Sequence, residues 1–242
     1  MPLSAYYADE AVTLYLGDSR ELAPSLYNYD HFIGDPPYDE KTHDGARSNS
    51  KGFKIGFAPI DPADVVAIVK PRRWALAFCA LEMLGDYKRL TGDRWIRSGV
   101  WDRDGGTPQI SGDRPAQGAE GIAIWHPDGV KRWNGNGKMG KWRAPIVKGD
   151  DRVHETQKPV SLMLQLVRDF TDVDELIADF FAGSGTTGVA AKMCGRRAVL
   201  VEIDEKKCED AARRLQATEL DERMARVPGR RGKQIAFDLG VA

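Results

Sequence analysis

Residues 176–189 read LIADFFAGSGTTGV, and VLVEID follows at 199–204. Leu176 to Phe181 is an apolar run of strand length. It breaks at Ala182 into a turn in which Gly183, Gly185 and Gly188 satisfy G-x-G-x-x-G before a helix-like continuation, and Glu202 falls 19 residues after Gly183 at the end of the next apolar run. Strand, glycines, helix and acid in that order mark a place where backbone approaches a nucleotide-like ligand and a carboxylate takes its ribose hydroxyls. A Cβ in the turn would collide with the ligand.

The position of the motif narrows the ligand. Only 54 residues follow Gly188, too few for the remaining strands of a dinucleotide-binding domain. A circularly permuted sheet, with half its strands drawn from before residue 170, accounts for the count. S-adenosylmethionine needs a glycine turn and a ribose acid but carries no pyrophosphate, so it fits a shorter permuted domain better than NAD does. A P-loop is excluded, because no G-K-[ST] follows the glycines.

Outward from this motif, apolar periodicity predicts strands at Thr13–Leu16, His31–Ile33, Trp74–Cys79, Trp95–Val100, Gly121–Trp125, Glu175–Phe180, Ala198–Ile203 and Ile235–Phe237. Helices are predicted at Pro62–Val69, after the N-cap Asp61, at Ser161–Phe170 and at Glu205–Leu215. Strands alternating with helices imply an α/β fold, a mostly parallel sheet with helices on both faces. Asp39–Gly56 and Gly105–Gly118 read as long loops beside the active face. The 242 residues are expected to form a single domain, with 88–148 as an insertion that contacts the target and has a character of its own.

That character is charge. Residues 88–148 hold 12 Lys/Arg against 6 Asp/Glu, five of the six Trp (Trp95, Trp101, Trp125, Trp133, Trp142) and 11 of the 25 Gly. Cations interleaved with aromatics suit a surface that holds phosphates and stacks bases; a solvated basic face is the alternative. Lys131, Arg132, Lys138, Lys141 and Arg143 are the densest cluster, around a flexible Asn134–Gly137 tip. The pairs Arg196-Arg197, Arg213-Arg214 and Arg230-Arg231 read as solvated helix face and basic tail.

The apolar run Ala75–Leu81 has seven residues, far short of the 18 or so a membrane span needs, and the N-terminus lacks the pattern of a secretion signal. Cys79, Cys194 and Cys208 are odd in number and widely spaced, so neither a disulfide framework nor a zinc site is expected, and a reducing cytoplasm fits. His31, His43, His126 and His154 have no ligand spacing.

A second motif supplies the chemistry. His31–Tyr38 (HFIGDPPY) runs a short strand into Asp35-Pro36-Pro37-Tyr38. Two prolines remove two backbone donors, so the segment presents acceptors. An exocyclic amine, N6 of adenine or N4 of cytosine, could give its two hydrogens to the Asp35 carboxylate and a prolyl carbonyl, which frees the nitrogen lone pair. Tyr38 offers a ring for the base, a contact of about 1–3 kcal/mol.

Together these motifs resemble the amino-group DNA methyltransferases, in particular the permuted β group in which the catalytic tetrapeptide precedes the cofactor loop. DPPY stands at 35–38 and DFFAGSGTT at 179–187. HETQKP at 154–159 is similar to that group's H-x-T-Q-K-P element, and LGD at 16–18 to its short L-x-G-D. The resemblance implies a Rossmann-like class I methyltransferase sheet of about seven strands and methyl transfer from S-adenosylmethionine to a flipped-out base of double-stranded DNA. It assigns Asp35, Pro36, Pro37 and Tyr38 to catalysis. Asp18, Asp179, Phe180, Phe181, Gly183, Ser184, Gly185, Thr186 and Glu202 fall to the cofactor, with Thr156 and Lys158 near its carboxylate. Asp at the first motif position leans toward adenine rather than N4 of cytosine. A catalytically idle DNA-binding protein of the same fold stays open, as do the recognition sequence, a restriction partner and a homodimer.

Overall fold

A computed structural model of the chain describes residues 3–38, 59–105, 110–147 and 157–225. The strands are β1 (Tyr7–Ala8), β2 (Val12–Leu16), β3 (His31–Gly34), β4 (Ala75–Cys79), β5 (Trp95–Asp104), β6 (Ala119–Trp125), β7 (Lys141–Pro145), β8 (Leu176–Asp179) and β9 (Arg197–Glu202). The helices are α1 (Ser19–Leu22), α2 (Pro62–Ile68), α3 (Leu84–Thr91), α4 (Val160–Phe170), α5 (Thr186–Met193), α6 (Glu205–Gln216) and α7 (Glu222–Ala225). Each predicted strand within the described residues is present to within a few positions; Ile235–Phe237 lies outside them.

One sheet runs β1-β2-β9-β8-β3-β4-β6-β5-β7. Its five central strands, β2, β9, β8, β3 and β4, are parallel. The strand that leads into the glycine turn, β8, pairs on one side with β9 and on the other with β3 from near the amino end. The strand of the glycine turn thus pairs with one from before residue 170, as a circular permutation expects. Alternate residues of the buried central strands feed opposite faces: Ile33, Leu76 and Phe78 pack with α4, α5 and α6, while Phe32, Ala75 and Ala77 pack with α2 and α3. Burying each such large side chain contributes about 1.5–3 kcal/mol.

The sheet has nine strands rather than about seven. One addition is β1, a two-residue antiparallel partner of β2. The other is β7, where Lys141, Arg143 and Pro145 point outward and Trp142 and Ala144 inward; its proline sits on an edge, where a missing N–H costs no ladder bond. The segment 88–148 thus supplies β5, β6 and β7 to the common sheet instead of standing apart as an insertion. Its tryptophans follow suit, since Trp101, Trp125 and Trp142 are buried in the core and Trp133 packs edge-on to Trp142 and Phe170. Trp101, Trp125 and Trp142 are thus occupied by packing, while Trp95 and Trp133 are partly buried. Cys79, Cys194 and Cys208 are buried and free, and no described helix is long and apolar enough to cross a membrane.

Candidate functional site

Two neighbouring parallel strands bring the motifs together. In the β3–β8 ladder His31 stands opposite Ile177 and Phe32 opposite Ala178. Asp35, just past β3, and the glycine turn, just past β8, therefore leave the same carboxyl edge one strand apart, where open α/β sheets bind their ligands. On the far side of β8, Leu16 lies level with Glu202, and Gly17 N–H donates to the Glu202 carbonyl at 2.9 Å. Asp18 is thereby placed beside Glu202, where it caps α1 by accepting from Arg20 N at 2.8 Å.

The turn is held by carboxylates and not by its glycines alone. Glu202 Oε2 accepts from Gly183 N at 2.7 Å, and its Oε1 accepts from Ile203 N and Asp204 N at 3.1 and 3.0 Å. Three bonds leave a carboxylate with capacity for one more donor. Gly183 has φ +52°, and nothing lies within 4 Å of where a Cβ would stand, so the turn keeps an open face there. Gly188 differs, because a Cβ would sit 2.7 Å from Leu200 and 3.0 Å from Leu215. Its smallness serves the packing of α5 on the sheet rather than clearance for a ligand.

Other residues expected on the cofactor turn inward. Phe180 is buried against Tyr29 and Phe32, while Phe181 stays partly exposed, edge-on to Phe32. Arg214 Nη1 binds the Ser184 carbonyl at 2.5 Å, Ser184 Oγ at 2.8 Å and Thr186 Oγ1 at 3.2 Å. Ser184 and Thr186 are therefore engaged by the protein itself. Of the pair Arg213-Arg214, only Arg213 lies on the solvated face, with Asp210 at 2.7 Å. Arg196 is buried as well and donates to Thr171 O at 2.7 Å and Ala225 O at 3.1 Å. Arg214→Ala should cost about 1–3 kcal/mol of stability, because two hydroxyls and a carbonyl lose a charged donor, whereas Arg213→Ala should leave the melting curve in place, since exposed ion pairs contribute little. Thermal denaturation of the two variants separates the roles; equal losses would contradict them.

Asp179 accepts from Phe181 N at 2.9 Å and from Thr187 Oγ1 at 2.6 Å. Burial pushes its carboxyl up to about 7, with Asp35 and Glu202 adding to the rise and the two hydrogen bonds opposing it. The folded state thus keeps a proton that the unfolded chain releases near 3.8. Stability from this group is complete below that value and drains as pH climbs to about 7, by a few kcal/mol in order of magnitude. Asp179→Asn should gain on the parent across that window, which urea unfolding at pH 4, 5.5 and 7 would show as a widening difference. A constant difference would refute it.

Around Asp35 the structure assembles groups that no motif flagged together. Lys158 Nζ lies 2.6 Å from Asp35 Oδ2 and 2.8 Å from Glu120 Oε1, over the rings of Phe78 and Trp101 at 4.9 and 5.8 Å. Glu120, on β6, is only 3% exposed; it also takes the Arg103 guanidinium and the Tyr38 hydroxyl. Burial alone would raise the Glu120 carboxyl, but Lys158 and Arg103 outweigh it and hold it below the ordinary value. Burial alone would lower the Lys158 ammonium, but Asp35 and Glu120 outweigh it and hold it above. Lys158, expected at the cofactor carboxylate, is paired here with Asp35 and Glu120. Thr156 lies outside the described residues.

The basic cluster divides. Arg132 pairs with Asp172 at 3.1 Å and Lys138 with Asp169 at 2.8 Å, at the C-terminal end of α4 and beyond it. The residues from His126 onward follow the end of β6 that pairs with the start of β4, so Lys131, Arg132 and Lys138 are carried away from the edge that holds Asp35. Lys141 and Arg143 lie on β7 and pair with Asp102 at 3.0 Å and Asp104 at 3.3 Å. There β7 runs alongside the upper half of β5, toward that edge.

Comparison with known proteins gives a consistent picture. The sequence profile of an N6/N4 DNA methylase family matches residues 86–213. The Haemophilus influenzae type II methyltransferase M.HinfI is 26% identical over 243 aligned positions, covering 84% of this chain and 68% of that protein. The type II methyltransferase M2.MboI of Moraxella bovis is 35% identical over 91 residues, 36% of this chain and 33% of its own length. Among solved structures, M1.HpyAVI in complex with SAM superposes with a TM-score of 0.65 at 22% identity, over 84% of this chain and 98% of that one. The PvuII DNA methyltransferase, described as cytosine-N4-specific, superposes with a TM-score of 0.68 at 15% identity, over 92% and 93% of the two chains. At these identities the superpositions establish the fold.

Proposed function

Because this chain belongs to the DNA methylase family, we propose that it transfers a methyl group from S-adenosylmethionine to the N6 amino group of an adenine turned out of duplex DNA. The observation that carries this is the β3–β8 pairing, which sets the Asp35 corner and the glycine turn side by side on one edge. The open face at Gly183 and the remaining acceptor capacity of Glu202 fit a nucleoside-bearing donor, and a structural relative is described in complex with SAM. When bound, S-adenosylmethionine supplies an electrophilic methyl group on a sulfonium.

This chain's residues do the rest. Asp35 and the Pro36 carbonyl accept the amine hydrogens, which fixes the nitrogen and favours the geometry in which its lone pair points outward. The ring of Tyr38, anchored through its hydroxyl on Glu120, takes the base, and the remaining acceleration comes from proximity and from acceptors already in place. Turning the nucleotide out costs a few kcal/mol, which phosphate contacts offset. Within the basic cluster we assign those contacts to Lys141 and Arg143 alone.

Incubation of the protein with tritiated S-adenosylmethionine and unmethylated phage DNA, followed by digestion to nucleosides, tests the reading. Label on N6-methyl-2′-deoxyadenosine is expected. Label on N4-methyl-2′-deoxycytidine would favour the second reading, which the likeness to a cytosine-N4-specific enzyme keeps in view. Tight DNA binding with no label would support the catalytically idle alternative.

A further inference from the structure

Lys158 places an N–H donor on the same carboxylate oxygen that a target amine needs. Its ammonium is 2.6 Å from Asp35 Oδ2, over two aromatic faces, and is the only cation paired with Asp35 in the described residues. A charged N–H bonds a carboxylate more strongly than a neutral amine does. An ammonium with Asp35 as its sole counter-charge would therefore exclude the substrate. The second carboxylate changes that competition. Glu120 Oε1 is 2.8 Å from the same nitrogen and is itself fixed by Arg103 and Tyr38. Among the described residues Glu120 keeps the ammonium paired at 2.8 Å, so it can release Asp35 without becoming an unpaired buried charge.

We propose that Glu120 is a positioning residue that receives the Lys158 ammonium when a target amine takes its place on Asp35. Lys158 then acts as a placeholder, keeping the acceptor site formed and ionised before the base arrives, and Glu120 makes the exchange reversible. No covalent step is involved; one N–H···O contact replaces another. The inference rests on the methyltransferase reading above. Among the described residues, the titratable groups near enough to feel the Asp35 charge are Lys158 just before α4, Glu120 on β6, Tyr38 on its own loop, Asp179 on β8, Cys79 on β4 and Tyr87 on α3, and Lys158 is the cation among these described groups.

Glu120→Gln keeps the shape and removes the charge, which leaves Lys158 with Asp35 alone. Turnover on phage DNA should fall about 10–100-fold, with the affinity for S-adenosylmethionine by equilibrium dialysis unchanged. The deciding variant is the double substitution Glu120→Gln with Lys158→Met, which removes the competitor and should recover at least tenfold of the lost turnover. A merely structural Glu120 predicts the opposite, because a second lesion in the same buried network cannot restore activity. Wild-type turnover in Glu120→Gln, or a double variant no better than Glu120→Gln, would overturn the proposal. Absence of methyl transfer by the parent protein would instead overturn the functional reading on which it stands.

Discussion

Asp35→Ala is expected to reduce methyl transfer by about three orders of magnitude or more, with S-adenosylmethionine still bound at parental affinity. The side chain stands at the end of β3, where its Oδ2 is the acceptor now held by Lys158. Removing it takes away the amine's principal acceptor and leaves the glycine turn, across the neighbouring strand, intact. The fold should tolerate the change, since Lys158 keeps Glu120 as its partner at 2.8 Å. Asp35→Asn serves as the isosteric companion: it retains one acceptor and adds donors that face the amine's own hydrogens, so its turnover should be nearly as low. Single-turnover transfer from tritiated cofactor, beside calorimetric binding of S-adenosylhomocysteine, separates the two effects. Near-parental turnover in either variant would remove Asp35 from the catalytic role.

Glu202→Ala is the second large effect, and it falls on the other corner. One carboxylate satisfies Gly183 N, Ile203 N and Asp204 N, so alanine strands three partly buried donors. A stability loss of about 2–4 kcal/mol follows. Cofactor affinity should drop about 100-fold or more, because the turn that shapes the site and the acceptor for ribose hydroxyls disappear together. Binding measured well below the variant's melting temperature distinguishes this from unfolding. A folded variant that binds the cofactor normally would show that Glu202 braces the chain and does nothing for the ligand.

The parts of this architecture legible in the sequence are those that a local pattern encodes. LIADFF and VLVEID are buried parallel strands and read as continuous apolar runs, and Asp61-Pro62 announces α2 through its cap and its proline. Both corners of the site were readable for the same reason, since each is a strand running into a turn with demanding backbone chemistry. What stayed hidden depends on tertiary placement. Lys141–Pro145 carries two cations and a proline, so nothing in its composition marks it as β7; its alternation matters only because Trp142 finds Asp169 at 2.9 Å and the core behind it. Arg213 and Arg214 are neighbours of the same type, yet one residue step along α6 points the first at Asp210 and the second under the glycine turn. The basic, tryptophan-rich stretch depends on tertiary placement in the same way. Charge density does not reveal that Asp169 and Asp172, some 30 to 40 positions away, neutralise Lys138 and Arg132. Glu120 had no motif at all, and its place at the centre of the Lys158 network follows from the register of β6 against β4 and β5.

A single ligand can interrogate both corners at once. In a bisubstrate compound, adenosine N6 is joined by a short linker to the 5′-deoxyadenosyl amino-acid portion of the methyl donor, so that it spans from Asp35 to Glu202 only if the two share one crevice. Isothermal titration should show it binding at least about tenfold more tightly than S-adenosylhomocysteine, with that advantage lost in Asp35→Ala and all binding weakened in Glu202→Ala. Affinity no better than that of S-adenosylhomocysteine, and indifferent to Asp35, would contradict the shared crevice.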